Sequence, residues 1–137
     1  MPDKIFKPSL VGIHVETAFL PAHSNPESDQ YTFAYSITIS NGSDLPVQLL
    51  SRHWIITDAE GRVQEVKGDG VVGEQPVIKP NDAFHYSSGA TLDTPVGYME
   101  GRYFMVVREP AEIPPQQLPI FEVPIPAFSL HTPTALN

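Results

Sequence analysis

The sequence contains no cysteine. That excludes a disulfide framework, a thiolate metal site and a cysteine nucleophile. Positive charge is scarce too: eight Lys and Arg stand against 16 Asp and Glu, for a formal net charge of −8. The eight are scattered, with no two adjacent. Nucleic-acid binding draws on clustered cations that displace counterions from phosphates, so that class is excluded, and the acidic balance also disfavours anionic membranes. It permits cations or basic partners, and its ordinary effect is a solvated surface. No apolar run approaches the length of a membrane span, and the opening MPDKIFKPSL has no long apolar run. The expectation is a cytoplasmic protein. Room for long helices is also scarce. Fifteen prolines are about twice the usual share, and those between 46 and 119 leave little room for a helix of three turns.

What is present is alternation. Tyr31, Phe33, Tyr35, Ile37 and Ile39 alternate with small or hydroxyl residues, the pattern of a half-buried strand. Val11, Ile13 and Val15 alternate with Gly12, His14 and Glu16. Further strands are predicted over 49–57, 63–67, 75–78, 84–88 and 98–107, and a last one carries Phe121, Val123, Ile125 and Ala127 on its inner face. Turns are expected at NGSDLP (41–46), at DAEG (58–61), with Gly61 left-handed, and at LDTPVG. A chain of 137 residues is the size of one domain. About eight strands with turn signals between them predict an all-β fold, an antiparallel β-sandwich of the immunoglobulin or fibronectin type III kind, with a closed barrel as the alternative. Residues 1–8 are expected as a flexible N-terminus, 21–30 as a mobile loop and 129–137 as a C-terminal tail. The proline-rich stretch 109–119 reads as a stiff crossover between sheets, or else as a polyproline ligand.

Residues 49–106, LLSRHWIITDAEGRVQEVKGDGVVGEQPVIKPNDAFHYSSGATLDTPVGYMEGRYFMV, closely resemble the ApaG family. The resemblance lies in the tryptophan strand, the glycine loop followed by QP, the YSSG segment and TP-x-G-x-M-x-G-x-Y, and it extends from about residue 10 to the final strand. Asn81 stands where the family usually has glycine, and asparagine tolerates the left-handed conformation. The resemblance implies a fibronectin type III-like sandwich and brings no catalytic residues and no cofactor. Related domains in an F-box protein and in a polymerase-delta-interacting protein imply protein binding. For bacterial members it implies a genetic link with cobalt and magnesium efflux and a place beside a diadenosine tetraphosphate hydrolase.

Several residues are candidate sites on chemistry alone. Gly68, Gly70 and Gly73 in GDGVVG match the spacing of a dinucleotide-binding turn, G-x-G-x-x-G. Such a turn needs a helix after it to receive the pyrophosphate. Here EQPVIKP follows, and Glu65, Asp69 and Glu74 outweigh Lys67. The expected role of the glycines is backbone geometry in a surface connection between β segments, and a small-ligand site for a nucleotide, pyrophosphate or divalent cation is the alternative. His14 and Glu16 share a polar strand face and are the candidate metal ligands, but two ligands do not make a site. His85, Ser87 and Ser88 lie together without a G-x-S-x-G elbow, so catalysis is not expected. Trp54 is expected in the core, with Leu50, Ile56 and Arg52 on its face and Leu49 and Ile55 on the other. Arg52 is placed near an edge where its head reaches water. Pro124 and Pro126 remove two donors from one side of the last strand and predict an edge strand. The function expected is a non-enzymatic protein-binding module with another protein as partner.

Overall fold

A computed structural model describes residues 3–134. Eight strands follow in order: β1 (Val11–Phe19), β2 (Tyr31–Asn41), β3 (Val47–Asp58), β4 (Val63–Asp69), β5 (Val77–Ile78), β6 (Ala83–Leu92), β7 (Val96–Val107) and β8 (Ile120–His131). The only helical pieces among the described residues are 3-10 turns of three residues, each beginning at a proline. Every strand pairing is antiparallel. One sheet has the order β1-β2-β6; the other runs β4-β3-β7-β8, with β5 added to β3. The two sheets face each other as a sandwich, as expected.

The core lies between them. The odd residues of β2, from Phe33 to Ile39, are buried as the alternation requires. Trp54 is 1% exposed and meets the rings of Tyr35, Phe128 and Tyr103 edge-on, at centroid distances of 5.3, 5.9 and 6.3 Å. Such aromatic pairs add to simple burial.

Two bulges correct the strand phases read from sequence. In β3 the register slips between Leu49 and Ser51. The extra residue reverses the side-chain direction, so Val47 and Leu49 point into the core together with Trp54 and Ile56. The assignment of Leu49 to the face opposite Trp54 fails for that reason. In β8 the register slips against β7, with Ile125 opposite Gly101 but Phe128 opposite Met99. Ala127 is therefore exposed rather than inward, and Phe128 and Leu130 take the inner positions beyond it. The strand continues through His131, so residues 129–131 of the expected tail are strand, and 135–137 lie outside the described residues.

The stretch 109–119 joins β7 to β8, which are neighbours in the same sheet, so it does not cross between sheets. Arg108 braces it by donating to the carbonyls of Ile113 and Ala111. Residues 21–30 fold into two 3-10 turns closed by an Asn25–Gln30 bridge. Near the N-terminus, Phe6 packs edge-on against Phe121 at 4.9 Å, and Ile5 N–H donates to the Asp44 carboxylate. Asn81 has φ 63° and Gly61 φ 83°, the left-handed conformations expected of them.

β8 is an edge strand, as its prolines predict, and both Pro124 and Pro126 are exposed. The sheet with more strands also overhangs the smaller one. β1 packs over β8, and β2 and β6 reach β3 and β7 through Tyr35–Trp54 and Tyr86–Tyr103. Every residue of β4 but Gly68 is exposed.

Candidate functional site

The glycine loop is a tight hairpin. Val71 and Glu74 exchange two backbone hydrogen bonds, of 2.8 and 2.9 Å. Val72 and Gly73 turn the chain between them with φ 48° and 78°. Positive φ at both central positions is the type I′ turn that suits the twist of paired strands. Gly70 also has φ 62°, and a Cβ there would stand 2.2 Å from the Glu74 carbonyl oxygen. Gly68 serves differently: a Cβ would stand 2.9 Å from Arg52 Nη1, so its absence makes room for the guanidinium. Arg52 sits opposite Gly68 in the β3–β4 register and donates to the carbonyls of Asp69 and Gly70 at 3.1 and 2.8 Å. It therefore pins the hairpin from a strand flanked on both sides. The amides of Gly70, Val71 and Glu74 are all engaged by backbone carbonyls. No helix follows the loop; β5 does.

Val72 is the strained residue. A β-branched side chain at positive φ is a steric outlier, and this one is 64% exposed. Val72→Asn is expected to raise stability by about 1 kcal/mol, since the left-handed penalty is about 1–2 kcal/mol and asparagine relieves part of it. An upward shift of the urea midpoint at unchanged slope is the expected reading; a downward shift would contradict the strain.

The hairpin overlooks a hollow of about 340 Å³ between the two sheets, walled by Arg52, Trp54 and Val66 on one side and by Tyr86 and Ser88 on the other. A second hollow of about 230 Å³ continues along β4 toward Arg62 and Leu92, and Ile56 lines both. Within the wall, Tyr86 and Tyr103 share a hydroxyl–hydroxyl bond of 2.5 Å. Burial pushes the Tyr86 phenol up to about 12, with the Tyr103 hydrogen bond pulling the other way. Burial pushes Tyr103 upward as well, reinforced by Tyr86. A phenol raised in the folded state favours folding fully below the ordinary phenol range, near pH 10, and that contribution is lost as pH climbs toward about 12. Alkaline titration at 295 nm should show two tyrosines that do not ionise near pH 10 in the folded protein, followed by unfolding as the pH rises further.

The indole N–H of Trp54 is buried with no hydrogen-bond partner. Buried donors are normally paired, and this one belongs to a residue that lines the hollow.

The other residues singled out from sequence lie apart. His14 Nε2 stands 3.4 Å from Glu16 Oε1 on the exposed side of β1. Among the described residues no group of three metal-ligating side chains forms. Calorimetry with cobalt or magnesium is expected to give no micromolar one-to-one isotherm; one that His14→Ala abolishes would reverse this. His85 bonds Thr38 at 2.8 Å and Ser87 bonds Ser36 at 2.7 Å, cross-strand pairs on the outer face of the small sheet rather than a nucleophile and its base. Sequence reasoning missed the Tyr86–Tyr103 pair and the part of Ser88 in the wall. The signal was Ser88 on the inward face of a strand, where an apolar residue would stand if that face were covered.

The architecture defines a fibronectin type III-like sandwich. The ApaG domain matches residues 21–107, and the chain belongs to the ApaG family. It is 52% identical over 130 residues to Protein ApaG of Acidithiobacillus ferrooxidans, covering 95% of this chain and 96% of that protein. It is 50% identical over 125 residues to Protein ApaG of Ralstonia nicotianae, covering 91% and 94%. The crystal structure of an ApaA protein from Bordetella pertussis superposes with a TM-score of 0.81 at 44% identity, covering 91% of this chain and 95% of the other.

Proposed function

We propose that this chain is a non-enzymatic protein-binding module that acts in the cytoplasm. The observation that carries the reading is the uncovered inner side of β4. There the sandwich leaves an open groove with Val66 39% and Val72 64% exposed beside it. Exposed apolar surface rimmed by polar residues marks an interaction site. Cobalt and magnesium homeostasis is the process that the family resemblance attaches to the module. It would act there through a partner, since no helix among the described residues is long and apolar enough to cross a membrane. The test is position-dependent photo-crosslinking in cells. A photoreactive residue at Val66 is expected to trap a discrete protein that the same group at Thr17, exposed on β1, does not. Equal trapping at both positions, or at neither, would sink the reading.

One observation favours the second reading, a small-ligand site at Gly68–Gly73. The Trp54 indole N–H lacks an acceptor, and Arg52 lies beside the same hollow. The engaged loop amides count against it. Amide NMR titration with ATP, NAD and pyrophosphate at millimolar concentration decides. Saturable shifts confined to 68–74 would replace the first reading.

A further inference from the structure

Resting on the protein-binding reading, we infer that the partner is captured as an extended peptide segment that adds to the free edge of β6 and lies in the groove over β4. Asn41 N–H donates to the Asp82 carbonyl. In an antiparallel pair, bonded and non-bonded positions alternate. The β2–β6 register has no slip, so Phe84, Tyr86, Ser88 and Ala90 spend their amides and carbonyls on β2. The other bonds of β2 run to its opposite neighbour, as the Leu20 N–H to Thr32 carbonyl bond shows. His85, Ser87, Gly89 and Thr91 therefore turn their N–H and C=O groups outward. All four residues are exposed, and β6 ends its sheet.

The edges at β8 and β4 are guarded, and β1, the other edge of the small sheet, is covered where it packs against β8 and carries Glu16; the β6 edge is unguarded. β8 carries Pro124 and Pro126 and packs near β1. β4 carries Glu65, Lys67 and Asp69. Proline, charge and cover are the devices that protect sheet edges from pairing. The β6 sequence AFHYSSGATL has no proline, no lysine or arginine and no carboxylate.

The geometry of the layers says what fits there. Sheet strands stand about 4.8 Å apart, and the next strand position beside β6 falls over the uncovered face of β4. The groove between β6 and β4 runs from Val72 at the glycine hairpin to Arg62 at the other end. β4 has seven residues, so an added strand of equal length spans about 23 Å at about 3.3 Å per residue. Only an extended chain offers backbone donors and acceptors at the spacing that β6 presents, and this is the logic of β-strand addition. Its alternate side chains would face Ile56, Val66 and Val72, and so would be apolar. A chain of net charge −8 favours approach by a neutral or basic segment.

The probe is a displayed library of random linear twelve-residue peptides, panned against the whole chain, with winners remade synthetically. Binders are expected to carry alternating apolar residues and to slow amide exchange at His85, Ser87, Gly89 and Thr91. Ser87→Pro removes an outward N–H, leaves the backbone ladder to β2 intact and gives up only the Ser87–Ser36 hydroxyl bond, and proline is tolerated at an edge; it should weaken binding at least tenfold. Val66→Lys, on an exposed strand, should do the same by placing a charge in the groove. N-methylation of alternate peptide amides should abolish binding in one phase and spare it in the other. Peptides that bind both variants as tightly as the parent would overturn the edge as the site while leaving a protein-binding module standing. No peptide enriched by panning would overturn the extended-segment occupant, whereas the module itself is judged by the crosslinking at Val66. Concentration-dependent dimerisation lost in Ser87→Pro would assign the edge to a second copy of this chain instead.

Discussion

Trp54→Ala is expected to destabilise the domain by about 3–5 kcal/mol, the range for emptying a large aromatic site in a packed core. The indole is 1% exposed and touches residues from three strands through Tyr35, Tyr103 and Phe128. Those strands belong to both sheets, so the cavity would open where the layers meet. A small domain has only about 5–15 kcal/mol of stability in all, so the variant stands near the limit of folding. Chemical denaturation with circular dichroism as the probe measures the loss. A decrease below 1 kcal/mol would mean that the rings of Tyr35 and Phe128 collapse into the space.

Gly70→Ala is expected to cost about 2–4 kcal/mol, and Gly73→Ala only about 1 kcal/mol. Both glycines have positive φ, 62° and 78°, and each alanine incurs the left-handed penalty of about 1–2 kcal/mol. The difference lies in the surroundings. The Gly70 Cβ would collide with the Glu74 carbonyl oxygen at 2.2 Å, whereas nothing lies within 4 Å at Gly73. Overpacking of that kind adds about 1–3 kcal/mol. The Glu74 carbonyl is also the acceptor for Val71 N–H, which closes the hairpin, so relief by backbone movement would break that bond. Thermal unfolding of the two variants side by side tests the ranking. Equal losses would show that φ alone governs the loop.

β2 was legible residue by residue because nothing interrupts its alternation and one face packs on the core. β3 and β8 were legible as strands but not in phase. Each contains a slip against β7, and a bulge is decided by the partner strand as much as by the strand itself. The conflict between Leu49 and Trp54 was visible in the sequence and was a bulge seen from one side only. The glycine loop could be read as a turn because Pro76 and Pro80 deny it a helix. Its flanking acids pointed the same way. The role of Gly68 could not be read, because it depends on Arg52 standing across the ladder. The groove was hidden for a similar reason. An exposed Val66 becomes meaningful only once the small sheet is seen to stop short of β4.

The small sheet, like the β3–β7 pair, also slows folding. Its closing ladder ties Thr38 to His85 across 47 residues and Thr32 to Thr91 across 59. Bringing such distant segments together sacrifices loop entropy before any bond rewards it, which places domains of this topology in the millisecond-to-second range. The paired strands β1 and β2 follow one another in the chain, and so do β3 and β4, and β7 and β8. β6 and its one partner β2 do not, and neither do β3 and β7. A newly made chain therefore cannot finish its smaller layer until Leu92 has been synthesised, although β2 is complete at Asn41. During that interval the side of β2 that awaits β6 is open to any other strand, and a co-translational chaperone would find its opportunity there.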